Sequence, residues 1–237
     1  AARAIVVDNG STDGSLEYLE RAIPSKKLSL LCNHQNLGFA FACNIGARAS
    51  SASRLLFLNP DGVLTERGLA RMIEVLDSSP TIGMVGGFLC NPDGSEQAGG
   101  RRSFPTPQRA FLRAFGLSRL ARFFPETFSD FLQHAEPLPD QPVAVEAISG
   151  ACMLVKRTAI EDVGLWDEGY FLHCEDLDWC MRFAPVEILA MEKVSFVPQT
   201  HIIHCRTFDQ HAGTGNRLDN RRLSRQWLCV LQKIRKH

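Results

Sequence analysis

Two apolar runs in this chain end in the same abrupt way, and this constrains its fold more than any other feature. Ala4 to Val7 leads straight into Asp8-Asn9-Gly10-Ser11-Thr12-Asp13, and Leu55 to Leu58 leads into Asn59-Pro60-Asp61-Gly62. Short apolar runs closed by Asx, Gly and Pro read as strands ending in turns. Leu28 to Cys32 and Ile82 to Phe88 repeat the pattern. Helical periodicity fills the gaps: Leu16, Leu19 and Ile23 share a face behind Ser15, and Leu69, Met72, Ile73 and Leu76 share one behind Thr65 and Glu66, with Ser79-Pro80 as the stop. Strands and helices alternating in this order require crossover connections. The expected class is therefore α/β, a mainly parallel sheet flanked by helices.

From Asn91 to Pro142 the alternation breaks down into proline-punctuated, arginine-rich pieces such as Arg109 to Phe124, read as an insertion or lid over 91–142. Val143 to Val155 reads as a long strand interrupted at Ser149-Gly150. Helices are expected at Thr158 to Val163 and Glu175 to Phe183, and strands near Val186 to Ala190 and Val194 to Val197. A basic amphipathic helix is expected from Leu218 to Ile234, giving a main domain over 1–216 and a terminal helix over 217–237. Hydrophobic residues at 45% and charged residues at 22% exclude disordered and fibrous classes. No apolar run reaches the roughly 20 residues that span a bilayer, and no leader is visible at the first residues. The eight cysteines include no Cys-x-x-Cys pair and sit mostly among apolar neighbours, which reads as reduced core thiols and a cytoplasmic setting.

Net charge is zero but unevenly placed: Arg101 to Arg122 carries six arginines and no acid, and Arg217 to His237 carries seven Lys/Arg against Asp219 alone. Each segment is thus +6 and the remainder −12. This segregation points to a polyanionic or membrane-surface neighbour, with solvated helix faces as the competing account.

Four constellations can carry chemistry. Asp8 closes a strand where ligands of open α/β sheets bind, and equally could cap its own turn. Asp61 offers a hard oxygen to Mg²⁺ or Mn²⁺ against a diphosphate, or is a plain turn residue. Glu175, Asp176 and Asp178 fall within four residues among apolar groups, where repulsion and desolvation raise at least one carboxyl toward the range of a general base; a helix N-terminus also favours such acids. His201, His204 and His211 surround the approach to Gly213-Thr214-Gly215, and one histidine could join Asp61 around a metal. Gly-x-Gly-x-x-Gly and Walker patterns are absent, which argues against dehydrogenases and P-loop enzymes.

Taken in order, Val6-Val7-Asp8-Asn9-Gly10-Ser11-Thr12-Asp13, Asn36-Leu37-Gly38-Phe39-Ala40 with Asn44 and Gly46, Leu58-Asn59-Pro60-Asp61, Ser149-Gly150-Ala151-Cys152, Phe171 to Asp178 and His204 resemble inverting glycosyltransferases of family 2. The rhamnosyltransferase branch is the nearest. The resemblance implies a GT-A fold, here expected without the family's first strand, because the order begins at what would be the second. It implies a nucleotide-diphosphate sugar donor, a divalent metal, a glycan or lipid-linked acceptor, no nucleic-acid partner, and a site facing the cytoplasm, with peripheral membrane contact through the basic segments. By the same resemblance Asp8, Asn36, Gly38, Asn59 and Asp61 serve the donor, Asp61 and His204 the metal, and Trp166, Asp167 and Glu168 the acceptor and sugar pocket. Asp176, paired with Glu175, is the implied base. Asn59 stands where the family carries its first metal acid. Two other classes stay open: a catalytically impaired nucleotide-sugar-binding remnant, and a nucleotidyltransferase, which would need a Gly- and Arg-rich loop near the amino end that this chain lacks.

Overall fold

The computed structural model describes residues 2–22, 28–91, 95–97, 99–104, 141–183, 194–204 and 227–233, the last two segments by their backbone. Eleven strands and five helices fall within them. In chain order they are β1 (Ala2–Asp8), α1 (Ser15–Ala22), β2 (Leu28–Cys32), α2 (Phe39–Arg48), β3 (Arg54–Leu58), β4 (Gly62–Leu64), α3 (Glu66–Ser78), β5 (Met84–Cys90), β6 (Arg101–Arg102), β7 (Val143–Ala144), β8 (Ala147–Ile148), β9 (Cys152–Lys156), α4 (Arg157–Val163), α5 (Glu175–Phe183), β10 (Val194–His204) and β11 (Trp227–Lys233). The main sheet runs β2-β1-β11-β3-β9-β5-β10-β4, with β7 on β10, and β6 and β8 form a separate pair.

The α/β class holds, and β1, β2, β3, β5 and β10 all run in one direction. Antiparallel strands interleave with them: β11 lies between β1 and β3, and β9 lies between β3 and β5. Direct parallel pairing is confined to β1 with β2 and β5 with β10 among the described residues. The sheet is therefore mixed. Alternation of elements fixes the direction of crossover-linked strands, and it says nothing about a strand inserted between them.

Burial on both faces explains the continuous apolar runs. Leu55 and Phe57 of β3 meet Met153 and Val155 of β9 under α2, α4 and α5, while Leu56 and Leu58 meet Cys152 and Leu154 under α3. α3 starts where Thr65 Oγ1 accepts from Gly68 N at 3.0 Å, with Glu66 in the first turn, and its Met72, Ile73 and Leu76 are buried. On the other face Trp166 and Trp179 lie 4.2 Å apart, with Phe39, Phe57 and Phe183 edge-on to them. Such pairs add about 0.5–1.5 kcal/mol each beyond their buried area.

Two expectations need correction. Residues 227–233 form a strand, not part of a helix from Leu218 to Ile234, and pair antiparallel with both β1 and β3. A short run such as Trp227-Leu228-Cys229-Val230-Leu231 satisfies a helical stripe and a doubly buried strand equally well, so periodicity alone could not decide. The interfacial-helix account of these residues goes with it. The long strand from Val143 to Val155 is three short pieces broken at 145–146 and 149–151. The expectations for Ile23, Arg109 to Phe124, Val186 to Ala190, His211, Gly213 to Gly215 and the rest of the terminal segment lie outside the described residues. Cys43, Cys152 and Cys180 are buried free thiols, burial pushing Cys152 and Cys180 up to about 12; Cys90 is also buried, whereas Cys32 and Cys174 are exposed.

The β6/β8 pair is seated through one glycine. A Cβ at Gly86 of β5 would stand 2.7 Å from Ile148 Cγ2 and 2.9 Å from its Cβ, so Ile148 can lie on the sheet only because that side chain is missing. Gly86→Ala should cost about 1–3 kcal/mol by overpacking. Urea unfolding measures the loss, and Ile148→Ala in the same chain should return part of it; an unchanged midpoint for Gly86→Ala would contradict this packing.

Candidate active site

The strands that share a direction bring their polar ends to one edge. Asp8 and Asn9 close β1, Asn33 follows β2, Asn59 and Asp61 follow β3, and His204 ends β10 opposite Gly62 in the β10/β4 register. A cleft of about 520 Å³ opens beside them, lined by Val6, Asp13, Gly14, Ser15, Tyr18, Leu19 and Pro60.

A knot of asparagines holds this edge together. Asn9, fully buried, donates to Asn36 Oδ1 at 2.8 Å and to Gly38 O at 3.1 Å, and accepts from Asn33 Nδ2 at 2.9 Å and Leu37 N at 3.2 Å. Asn36 Oδ1 also accepts from Gly38 N at 3.0 Å. Gly38 has φ 92°, and a Cβ there would meet Phe171 O at 2.8 Å, while Phe39 N donates to that same oxygen at 3.0 Å. Asn36 and Gly38 thus join three loops at this edge. Asn9 was missed as their hub. Its signal was the Asp-Asn-Gly turn, read only for its acid. Asp8 is 1% exposed and both carboxylate oxygens accept from Ser11 N, at 3.2 and 3.3 Å, so it caps its own turn here.

The three acids at the start of α5 have three different environments. Asp178 pairs with Arg182 at 3.0 Å one turn on. Asp176 Oδ2 accepts from Arg102 and from Gly150 N, the latter at 3.0 Å, and Oδ1 accepts from Leu177 N at 2.8 Å. Glu175 is 7% exposed, and its Oε2 is buried with no hydrogen-bond partner among the described residues. Burial pushes the Glu175 carboxyl above the usual carboxylate range, and neighbouring Asp176 adds to the effect. The backbone entering this helix is strained: His173 and Cys174 are successive left-handed residues at φ 70° and 69°, each costing about 1–3 kcal/mol.

Asp176 connects to the metal candidates through one turn. Gly150 N reaches Asp176, and the carbonyl of the next residue, Ala151, accepts from Asn59 N at 2.9 Å. Asn59 Oδ1 is buried with no hydrogen-bond partner among the described residues, beside Asp61 two positions on. An orphaned amide oxygen and a carboxylate are hard donors that fit Mg²⁺ or Mn²⁺, with a histidine position on the adjoining strand. No group of three or more His, Cys, Asp or Glu is gathered as for a metal among the described residues.

Trp166 does not belong to a sugar pocket. It is 2% exposed in the aromatic core, and Asn44 clamps its backbone, accepting from Trp166 N at 3.1 Å and donating to Trp166 O at 2.9 Å. Asn44 also donates to Glu168 at 2.8 Å, and Arg48 pairs with Glu168 at 3.0 Å. Asp167 is exposed, and its Oδ1 accepts from Gly169 N at 2.8 Å. The segment straps α2 to the core. Its Trp-Asp-Glu composition resembles a binding motif, and burial cannot be read from composition.

The sequence model described as Glycosyl transferase family 2 matches residues 2–164. The chain belongs to this family. Among curated proteins it is 28% identical over 211 residues to the N-acetylglucosaminyl-diphospho-decaprenol L-rhamnosyltransferase of Mycobacterium tuberculosis, covering 84% of this chain and 65% of that one. It is 35% identical over 68 residues to Rhamnosyltransferase WbbL of Escherichia coli K12, covering 29% and 24% of the two chains. Of solved structures, GalNAc-T7 with UDP, GalNAc and Mn²⁺ aligns with TM-score 0.57 at 18% identity, covering 84% of this chain and 37% of that one. The mannosyltransferase PcManGT of Pyrobaculum calidifontis, in complex with GDP-Man and Mn²⁺, aligns with TM-score 0.52 at 19% identity, covering 84% and 46%. The fold is GT-A. This family 2 chain spans about two thirds of the length of the mycobacterial relative.

Glu175 gives the site a pH signature. A carboxyl raised on folding contributes stability below its unfolded pKa, near 4.3, and loses it as pH rises through the folded value. Glu175→Gln should therefore melt higher than the parent chain near neutral pH, with the difference vanishing below about pH 4. Thermal melting across that range checks it; equal curves at neutral pH would place Glu175 in water.

Proposed function

We propose that this chain is an inverting glycosyltransferase that moves rhamnose or a similar sugar from a nucleoside-diphosphate donor to a glycan or lipid-linked acceptor. One observation carries the proposal: the turn at Ser149 to Cys152 ties the Asp176 carboxylate and the Asn59–Asp61 strand end into one edge of a family 2 fold. The rhamnosyltransferase names of two relatives support the sugar, and the diphospho-decaprenol in one of those names supports a lipid-linked acceptor. Such an acceptor would bring the chain to the cytoplasmic face of a membrane, where the remaining arginines of the basic stretch, Arg109, Arg113, Arg119 and Arg122, would favour anionic headgroups. No helix among the described residues is long and apolar enough to cross a membrane.

The donor lies across the strand ends, with its nucleotide in the cleft between Pro60 and the start of α1. Asn59 and Asp61, with His204, would hold a divalent ion, which when bound offsets charge growing on the departing diphosphate. The acceptor hydroxyl oxygen attacks the anomeric carbon from the face opposite the diphosphate. The new C–O bond forms as the old one breaks, the bonding pair leaves with the diphosphate, and the configuration inverts. Asp176 takes the hydroxyl proton. Each carboxylate oxygen offers two acceptor positions, and among the described residues Asp176 Oδ1 receives only Leu177 N, so Oδ1 is the oxygen with capacity for the acceptor hydroxyl.

Asp176→Asn preserves shape and removes the proton acceptor, so transfer should fall by about 10²- to 10⁴-fold with donor binding nearly unchanged. Nucleoside-diphosphate rhamnoses with a short polyprenyl-diphospho-N-acetylglucosamine are suitable probes. Turnover at the parent rate by Asp176→Asn would end this assignment, and its loss in Glu175→Gln alone would move the role to Glu175.

The metal reading has a readout apart from activity. Nucleoside diphosphate should raise the melting temperature more with Mn²⁺ than with excess chelator, and Asp61→Asn should abolish that difference. Ligand at 100 times its Kd stabilises by about 2.7 kcal/mol. Equal stabilisation with and without Mn²⁺ would remove the metal from the site.

A further inference from the structure

We infer that Arg102 is a positioning residue, which fixes one oxygen of Asp176 so that the other faces the acceptor. This rests on the reading of Asp176 as the proton acceptor, and it assigns a task to a residue that sequence alone places in an undifferentiated basic stretch.

The two arginines of β6 are separated by strand alternation. Arg101 forms a buried two-point pair with Glu96, at 2.8 Å through Nε and 2.8 Å through Nη2, and serves the interior. Arg102 reaches the other way, its Nη2 donating to Asp176 Oδ2 and, at 2.7 Å, to Ile148 O. Ile148 is itself fixed, paired with Arg101 across β6/β8 and seated over Gly86. The guanidinium is thus braced on a rigid carbonyl while it holds the carboxylate. Gly150 N binds the same Oδ2 at 3.0 Å. Among the described residues, two donors on Oδ2 and a single backbone donor on Oδ1 make the carboxylate asymmetric, which leaves Oδ1 the more open oxygen for the acceptor proton. Arg102 Nε is left buried with no hydrogen-bond partner among the described residues.

The test uses the whole chain, with Arg102→Met and Arg102→Lys assayed for transfer from a nucleoside-diphosphate rhamnose, alone and combined with Asp176→Asn. A misaimed reacting group costs up to about 100-fold. Arg102→Met is expected to lower kcat by about 10- to 100-fold with donor KM nearly unchanged, and Arg102→Lys to fall between it and the parent. In the Asp176→Asn background Arg102→Met should add no further loss, because its partner is already disabled. Parent-like kcat in either folded variant would overturn the inference, as would a raised KM at constant kcat or an additive loss in the double variant. If Arg102→Met does not fold, Arg102→Lys is judged by the same three criteria. Undiminished turnover in Asp176→Asn alone refutes the base assignment instead, so the two failures are distinguishable.

Discussion

Burial of the central strands on both faces is the constraint from which the site follows. β3, β5 and β9 have no face on which a polar side chain could meet water, so their polar groups collect at the ends. Because β1, β2, β3, β5 and β10 run the same way, those ends collect at one edge. Carboxylates and amides reach that edge already dehydrated by the apolar layer behind them, as the raised Glu175 carboxyl illustrates. Chemistry concentrates there because the sheet admits polar groups nowhere else along these strands.

The edge is held by amides as much as by charges. Asn9, Asn33 and Asn36 tie two loops together around one buried side chain, and Asn44 performs the same service for the strap at Trp166 to Glu168. A neutral amide both donates and accepts, so it can join loops without the desolvation cost of a buried ion. This leaves the acids free of structural duty except where a specific partner is supplied. Asp178 finds such a partner in its own helix, whereas that of Asp176 arrives from β6, in the segment where strand and helix cease to alternate.

How much of this was legible in the sequence depended on whether a signal was local. The bounds of β2 and of α5 can be read directly, because apolar periodicity and terminal punctuation coincide there. Asp61 and Asp176 could be singled out because each sits where an apolar pattern stops. Trp166 was misassigned because its sequence shows an aromatic beside two acids, whereas its environment comes from Phe39, Phe57 and Trp179, distant in the chain. β11 was misassigned for the same reason: only its neighbours β1 and β3 distinguish a buried strand from an amphipathic helix. Asn9 and Arg102 were passed over because a hub and a brace are defined by partners, and partners 27 and 74 positions away leave no local trace.

The three acids of α5 show why residue type alone does not assign a role. They occupy one helical turn and share one helix dipole, yet Asp178 pairs within the helix, Asp176 is gripped across the fold, and Glu175 has an oxygen with no hydrogen-bond partner among the described residues. Proximity in sequence gives them the same field from the backbone, so the difference between them must come from β6 and from the turn at Gly150. Those elements precede α5 in the chain by dozens of residues. The surroundings of Asp176, the base proposed above, are therefore set by elements that precede its helix, and the helix contributes mainly a fixed point from which an acid can be reached by its partners.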